Sequence, residues 1–130
     1  IPELGTITAK HRPIVVLTSN NTRELSEALK RRCLFLHIDY PSVEREQRIL
    51  LEKIPNLPDT MANKIAKTVR SIRQLAVRKA PSVSESLDWA RTLLALGVED
   101  VDAEITAGTL EVLLKYQSDI EKASRELLDP

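Results

Sequence analysis

At 130 residues, with 42 % hydrophobic and 29 % charged residues, the chain has enough apolar material for one folded core and too much for a disordered tail. No apolar run approaches the ~18 residues needed to cross a bilayer, and no charged-then-apolar start suggests a signal peptide. The single cysteine, Cys33, excludes an internal disulfide and fits a reducing cytoplasm. Formal net charge is zero but unevenly spread: residues 1–83 carry fifteen Lys/Arg against eight Asp/Glu, and residues 84–130 carry four against eleven.

Aromatic residues make up 3 % of the chain, so the core must be built from Leu, Ile, Val and Ala, which favours helices. In chain order, Thr6-Ile7-Thr8-Ala9 alternates polar and apolar, as a hairpin arm does. Ile14-Val15-Val16-Leu17 is a continuous β-branched run of the kind buried on both faces of a parallel sheet. It stops at the polar tip Thr18-Ser19-Asn20-Asn21. A short helix is predicted over residues 25–32, ending in the cations Lys30, Arg31 and Arg32. Cys33 to Ile38 reads as a second buried strand, closed by Asp39-Tyr40-Pro41. These elements make a βαβ unit, and two strands alone leave faces and edges uncovered. With the start at Ile1-Pro2, that incompleteness gives the expectation that the chain is the C-terminal part of something longer.

From residue 42 onward the pattern is helical. Ser42 is placed to cap a helix carrying Val43, Leu50 and Ile54 on one stripe, and residues 55–58 interrupt it with two prolines. Met61, Ile65, Val69, Ile72, Leu75 and Ala76 step by three or four, a strong amphipathic signal. Pro81 breaks that helix, and Ser82-Val83-Ser84-Glu85 reads as a capping box opening the next. That helix has Leu87, Ala90 and Leu94 on one face and Trp89, Leu93 and Leu96 on another, so it belongs at the centre of a bundle. Gly97 ends it. Two last helices are predicted over residues 106–116, with Leu110, Leu113 and Leu114, and over residues 118–128, with Ile120, Ala123 and Leu127. The fold class expected is therefore mainly α. Residues 1–41 form the C-terminal remnant of an α/β core, and residues 42–130 form a bundle of four or five helices.

Catalytic motifs are missing. The only glycines are Gly5, Gly97 and Gly108, so no GxxxxGK[ST] loop can cradle a triphosphate. His11 and His37 are far apart in sequence, no CxxC or HExxH is present, and no metal site is expected. No serine lies in a nucleophile elbow. What chemistry there is collects around Asn20, at the end of a buried-type strand where open α/β sheets bind ligands. Arg31 and Arg32 follow on the rim, where a guanidinium could reach the phosphate of a neighbouring molecule. Taken singly, Asn20 reads as turn chemistry and the arginines as a helix C-terminus balancing its dipole.

The combination is more specific. "IPELGTITAKHRPIVVLTSNNTRELSEALKRRCLFLHIDYPS" resembles the region of MoxR-type AAA+ ATPases that follows the Walker B strand. "APSVSESLDWARTLLALG" resembles the lid of the same group, in the branch associated with carbon-monoxide-dehydrogenase maturation and von Willebrand factor A-domain partners. The resemblance is strong over residues 1–97 and weaker beyond. It implies that Asn20 is the sensor 1 residue orienting the attacking water. It also implies that Arg32 is an arginine finger acting in trans, with Arg31 as the alternative. Residues 1–13 would be the returning arm of a pre-sensor hairpin, and residues 42–130 the helical lid. The position usually held by the sensor 2 arginine falls on Ser84, so either another cation serves, with Arg73, Arg78 and Lys79 as candidates, or this branch does without one. The intact protein would be a cytoplasmic ATP hydrolase using ATP and Mg²⁺ in a ring, a hexamer, that remodels a protein client such as a maturing metalloenzyme. This chain alone, without the Walker motifs, would be inactive and hold no cofactor.

Two other function classes fit parts of the sequence. One is a stand-alone helical adaptor binding a protein through its Met61–Ala76 or Leu110–Leu127 face. The other is a nucleic-acid-binding module using the cationic stripe Lys64, Lys67, Arg70, Arg73, Arg78 and Lys79, which contains no acid. Neither accounts for the spacing of the TSN and RRC triplets, and the second lacks aromatics for base stacking.

Overall fold

The computed structural model describes residues 10–19 and 25–128. Six helices occur among them: α1 (Glu27–Lys30), α2 (Val43–Lys53), α3 (Asp59–Gln74), α4 (Val83–Ala95), α5 (Ala103–Leu113) and α6 (Gln117–Leu128). The chain divides into two compact units, residues 1–37 and 38–130. The mainly helical class expected from composition is the class observed.

In the first unit, α1 is a single turn whose N-cap, Ser26, accepts from the Leu29 N–H. The two expected strands are not formed. Residues 14–17 and 33–38 carry no strand pairing, and no strand occurs among the described residues. Ile14, Leu34 and Ile38 are 94, 104 and 81 % exposed. The physical reason is that a strand, unlike a helix, satisfies none of its backbone groups internally and needs a neighbour. Most of the hairpin arm, residues 1–9, lies outside the described residues.

The helical unit follows its sequence signals closely. Ser42 caps α2 through its hydroxyl, which accepts from the Arg45 N–H. Leu50 and Ile54 are buried, and so are Met61, Ile65, Val69 and Ile72 of α3. Ala76, expected on that stripe, is exposed beyond the end of α3. Helix α4 contacts α2, α3 and α5, and its Trp89, Ala90 and Leu93 are fully buried in the common core. The Trp89 indole N–H donates to Thr109 Oγ1 at 2.7 Å, so burial of the ring leaves no polar atom stranded. Leu96 departs from expectation. It is 63 % exposed because α4 has already ended: Gly97 takes φ 67°, and the N–H groups of Gly97 and Val98 turn back to the Leu94 and Leu93 carbonyls. Helix α5 begins three residues before its predicted start, capped by Asp102, whose carboxylate accepts from the Ile105 N–H at 2.8 Å. Leu110, Leu113 and Leu114, with Ala123 of α6, complete the core.

The capping box at α4 is complete. The Ser82 N–H donates to Glu85 Oε2 at 3.0 Å, the Ser82 hydroxyl donates to the same carboxylate, and the Ser84 N–H donates to Ser82 Oγ. These bonds, the Ser82 hydroxyl first, hold the Glu85 carboxyl below its ordinary pKa. A depressed folded-state value means that the contribution is whole above the ordinary carboxylate range and is lost as pH falls through the lowered value. Ser82→Ala should therefore cost about 1 kcal/mol at neutral pH in urea unfolding. The gap between variant and wild type should narrow below about pH 4.

Candidate functional site

Asn20 lies outside the described residues, which resume at Leu25; its neighbours Thr18 and Ser19 are exposed. Arg31 is the C-cap of α1, its N–H donating to the Glu27 carbonyl, and the Arg32 N–H donates to the Leu29 carbonyl at 3.1 Å. Both side chains are exposed at the negative end of the helix turn. An exposed guanidinium there is sterically open to a phosphate presented from outside the chain.

The remaining candidates fall in the helical unit, and they are differently placed. Arg73, near the end of α3, is buried: Nη1 and Nη2 donate to Glu46 Oε2 and Oε1 at 2.5 and 2.9 Å, and Nε donates to the Pro81 carbonyl at 2.8 Å. The Arg73 side chain is 6 % exposed and Glu46 is 1 % exposed. Ser86 of α4 completes the cluster, donating to Glu46 Oε1 at 2.6 Å. The Glu46 carboxylate thus ties α2, α3 and α4 together, and Arg73 adds the loop before α4 through Pro81. The charge is compensated in place, as a buried ion pair must be.

Arg78 and Lys79 lie in that loop with exposed side chains. Their backbone N–H groups donate to the two carboxylate oxygens of Asp119, which is 4 % exposed at the start of α6. The Arg78 guanidinium stacks on the Tyr116 ring, 4.3 Å from its centroid. Ser84 is exposed in the first turn of α4, its N–H held by Ser82. The loop that carries Arg78 and Lys79 is therefore pinned by its backbone, beside the exposed N-terminal turn of α4. Arg73 belongs to the interior.

The cationic stripe is partly neutralised. Lys64 pairs with Asp100, whose carboxyl that bond holds below its ordinary pKa. Arg73 is spent on Glu46, Arg78 on Tyr116, and Arg70 lends its charge to Glu44. The Glu44 carboxyl is held low chiefly by its own backbone N–H and then by the Ser42 hydroxyl. His11, His37 and Cys33 are exposed, and among the described residues no three His, Cys, Asp or Glu side chains gather as a metal site. No helix there is long and apolar enough to cross a membrane.

Sequence reasoning missed two structural anchors, Glu46 and Asp119. A signal existed for the first: Glu46 sits three residues after Val43 and four before Leu50, on the buried stripe, where a carboxylate requires a partner. No family model, curated protein or solved structure matches this chain.

Proposed function

We propose that the chain is the sensor-and-lid portion of a MoxR-like AAA+ ATPase that couples ATP hydrolysis to remodelling of a protein client. The observation that supports this reading best is the exposure of residues 14–17 and 34–36. Ile14, Val15, Val16 and Leu17 are 94, 72, 79 and 62 % exposed, and Leu34, Phe35 and Leu36 are 104, 64 and 79 % exposed. Successive residues of an extended chain point to opposite faces, so exposure at every position means that both faces lack cover. Such surface calls for a sheet with helices on either side, the environment of the inner strands of an α/β ATPase core.

Nothing among the described residues forms an amide cradle for a triphosphate, so the nucleotide and Mg²⁺ belong to the rest of the proposed ATPase. The residues that this chain would bring to the γ-phosphate are Asn20 from its own subunit and Arg32, or Arg31, from a neighbour in the ring. In this reading Arg78 and Lys79, beside Ser84 at the start of α4, are the cations left to meet the nucleotide from the lid side. A von Willebrand factor A-domain protein as partner, a metalloenzyme as client, a hexameric ring and a cytoplasmic setting follow from the sequence resemblance.

The test is ATP turnover by the full-length gene product. Turnover is expected, and Asn20→Ala is expected to lower it by about 10²-fold or more with nucleotide affinity kept. A gene product that neither binds nor hydrolyses ATP would defeat the reading and favour the protein-binding adaptor.

A further inference from the structure

Tyr40 lies outside any helix, two residues before the N-cap of α2, yet its ring covers the guanidinium of Arg73, 4.4 Å from centroid to Cζ. Arg73 is unusual as a partner for an exposed tyrosine. Three of its N–H groups bond in the guanidinium plane to Glu46 and Pro81, and the Tyr40 ring lies over the flat face. A desolvated guanidinium face is the condition under which an aromatic ring binds a cation most strongly. Pro41 follows Tyr40. It fixes its own φ and holds Tyr40 to extended backbone, so few torsions remain to be immobilised between the ring and α2.

We infer that Tyr40 is a strap that fastens residues 38–41 to the junction of α2, α3 and α4. The rigid part of the helical unit then begins before the Ser42 cap, in the segment that Tyr40 holds. Because Arg73 also grips the Pro81 carbonyl and Glu46 grips Ser86, the strap sets the connecting segment in fixed register with the start of α4. This is a property of the helical unit alone and holds whatever the chain binds.

The full 130-residue chain serves for the test, with Tyr40→Phe and Tyr40→Ala compared by ¹⁵N heteronuclear NOE. Wild type and Tyr40→Phe should show values at residues 39 and 40 as high as those within α2. The ring-current shift on the Arg73 Nε proton should persist in both. Tyr40→Ala should lower residues 39 and 40 to the level of residues 14–17 and leave α2 to α4 unchanged. High values at 39 and 40 in Tyr40→Ala, or low values already in wild type, would show that the ring fastens nothing. A drop spreading through α2 to α4 would make Tyr40 a core residue and equally overturn the strap.

Discussion

Arg73→Ala should destabilise the helical unit by about 3–5 kcal/mol, the cost of leaving a buried carboxylate without its partner. Glu46 would keep only the Ser86 hydroxyl, and the Pro81 carbonyl would lose its donor. For a unit of this size that loss lowers Tm by more than about 12 °C, readable by circular dichroism at 222 nm. It is a large share of the 5–15 kcal/mol that holds an ordinary domain folded. The informative companion is Glu46→Leu combined with Arg73→Met, which removes both charges and fills the same space. The double variant should regain most of the stability, because desolvating a buried pair offsets much of its attraction. A single Arg73→Ala variant as stable as wild type would mean that water reaches Glu46 and that the cluster is not a structural node.

On the ATPase reading proposed above, Arg32→Ala in the full-length protein should cut ATP hydrolysis by about 10³-fold or more while ATP still binds, the loss typical of a missing arginine finger. Since the finger would act on the neighbouring subunit, the effect should appear in trans. Rings mixed from wild-type and Arg32→Ala subunits would lose activity in proportion to the interfaces that lack the guanidinium. Arg31→Ala serves as the control, because the two arginines share the end of α1 and both are exposed. Near-normal turnover in Arg32→Ala with loss in Arg31→Ala would move the finger by one residue. Near-normal turnover in both would remove the finger from this chain.

The helical unit was legible because its signals are local. Ser42, Ser82-Glu85 and Gly97 mark their helix ends with groups that act within one turn, and all three do so in the structure. The start of α5 differs from expectation because apolar periodicity begins with the leucines, whereas the Asp102 cap is a polar signal outside that period. The strands failed for a different reason. β-Branched content describes a surface that fits a sheet, and Ile14 to Leu17 can be a strand only where other strands are present to pair with it. The Glu46–Arg73–Ser86 cluster joins positions 27 and 40 residues apart, so spacing could mark Glu46 as odd but could not name its partner. Of the proposed site, the structure describes Arg31, Arg32, Arg73, Arg78, Lys79 and Ser84. Among them, Arg73 is the one whose side chain is buried, against Glu46 and Pro81.

The uncovered runs at 14–17 and 34–38 have a consequence for the chain as a material. Both are short, apolar, free of proline and of high β propensity, the makeup of segments that stack into cross-β assemblies. Neither run is part of a helix, so two chains can pair through them with every helix intact. Solubility and fold are thereby uncoupled. Stabilising the helices would do little against precipitation, while one lysine placed within either run would act as a gatekeeper and leave the melting of the bundle untouched.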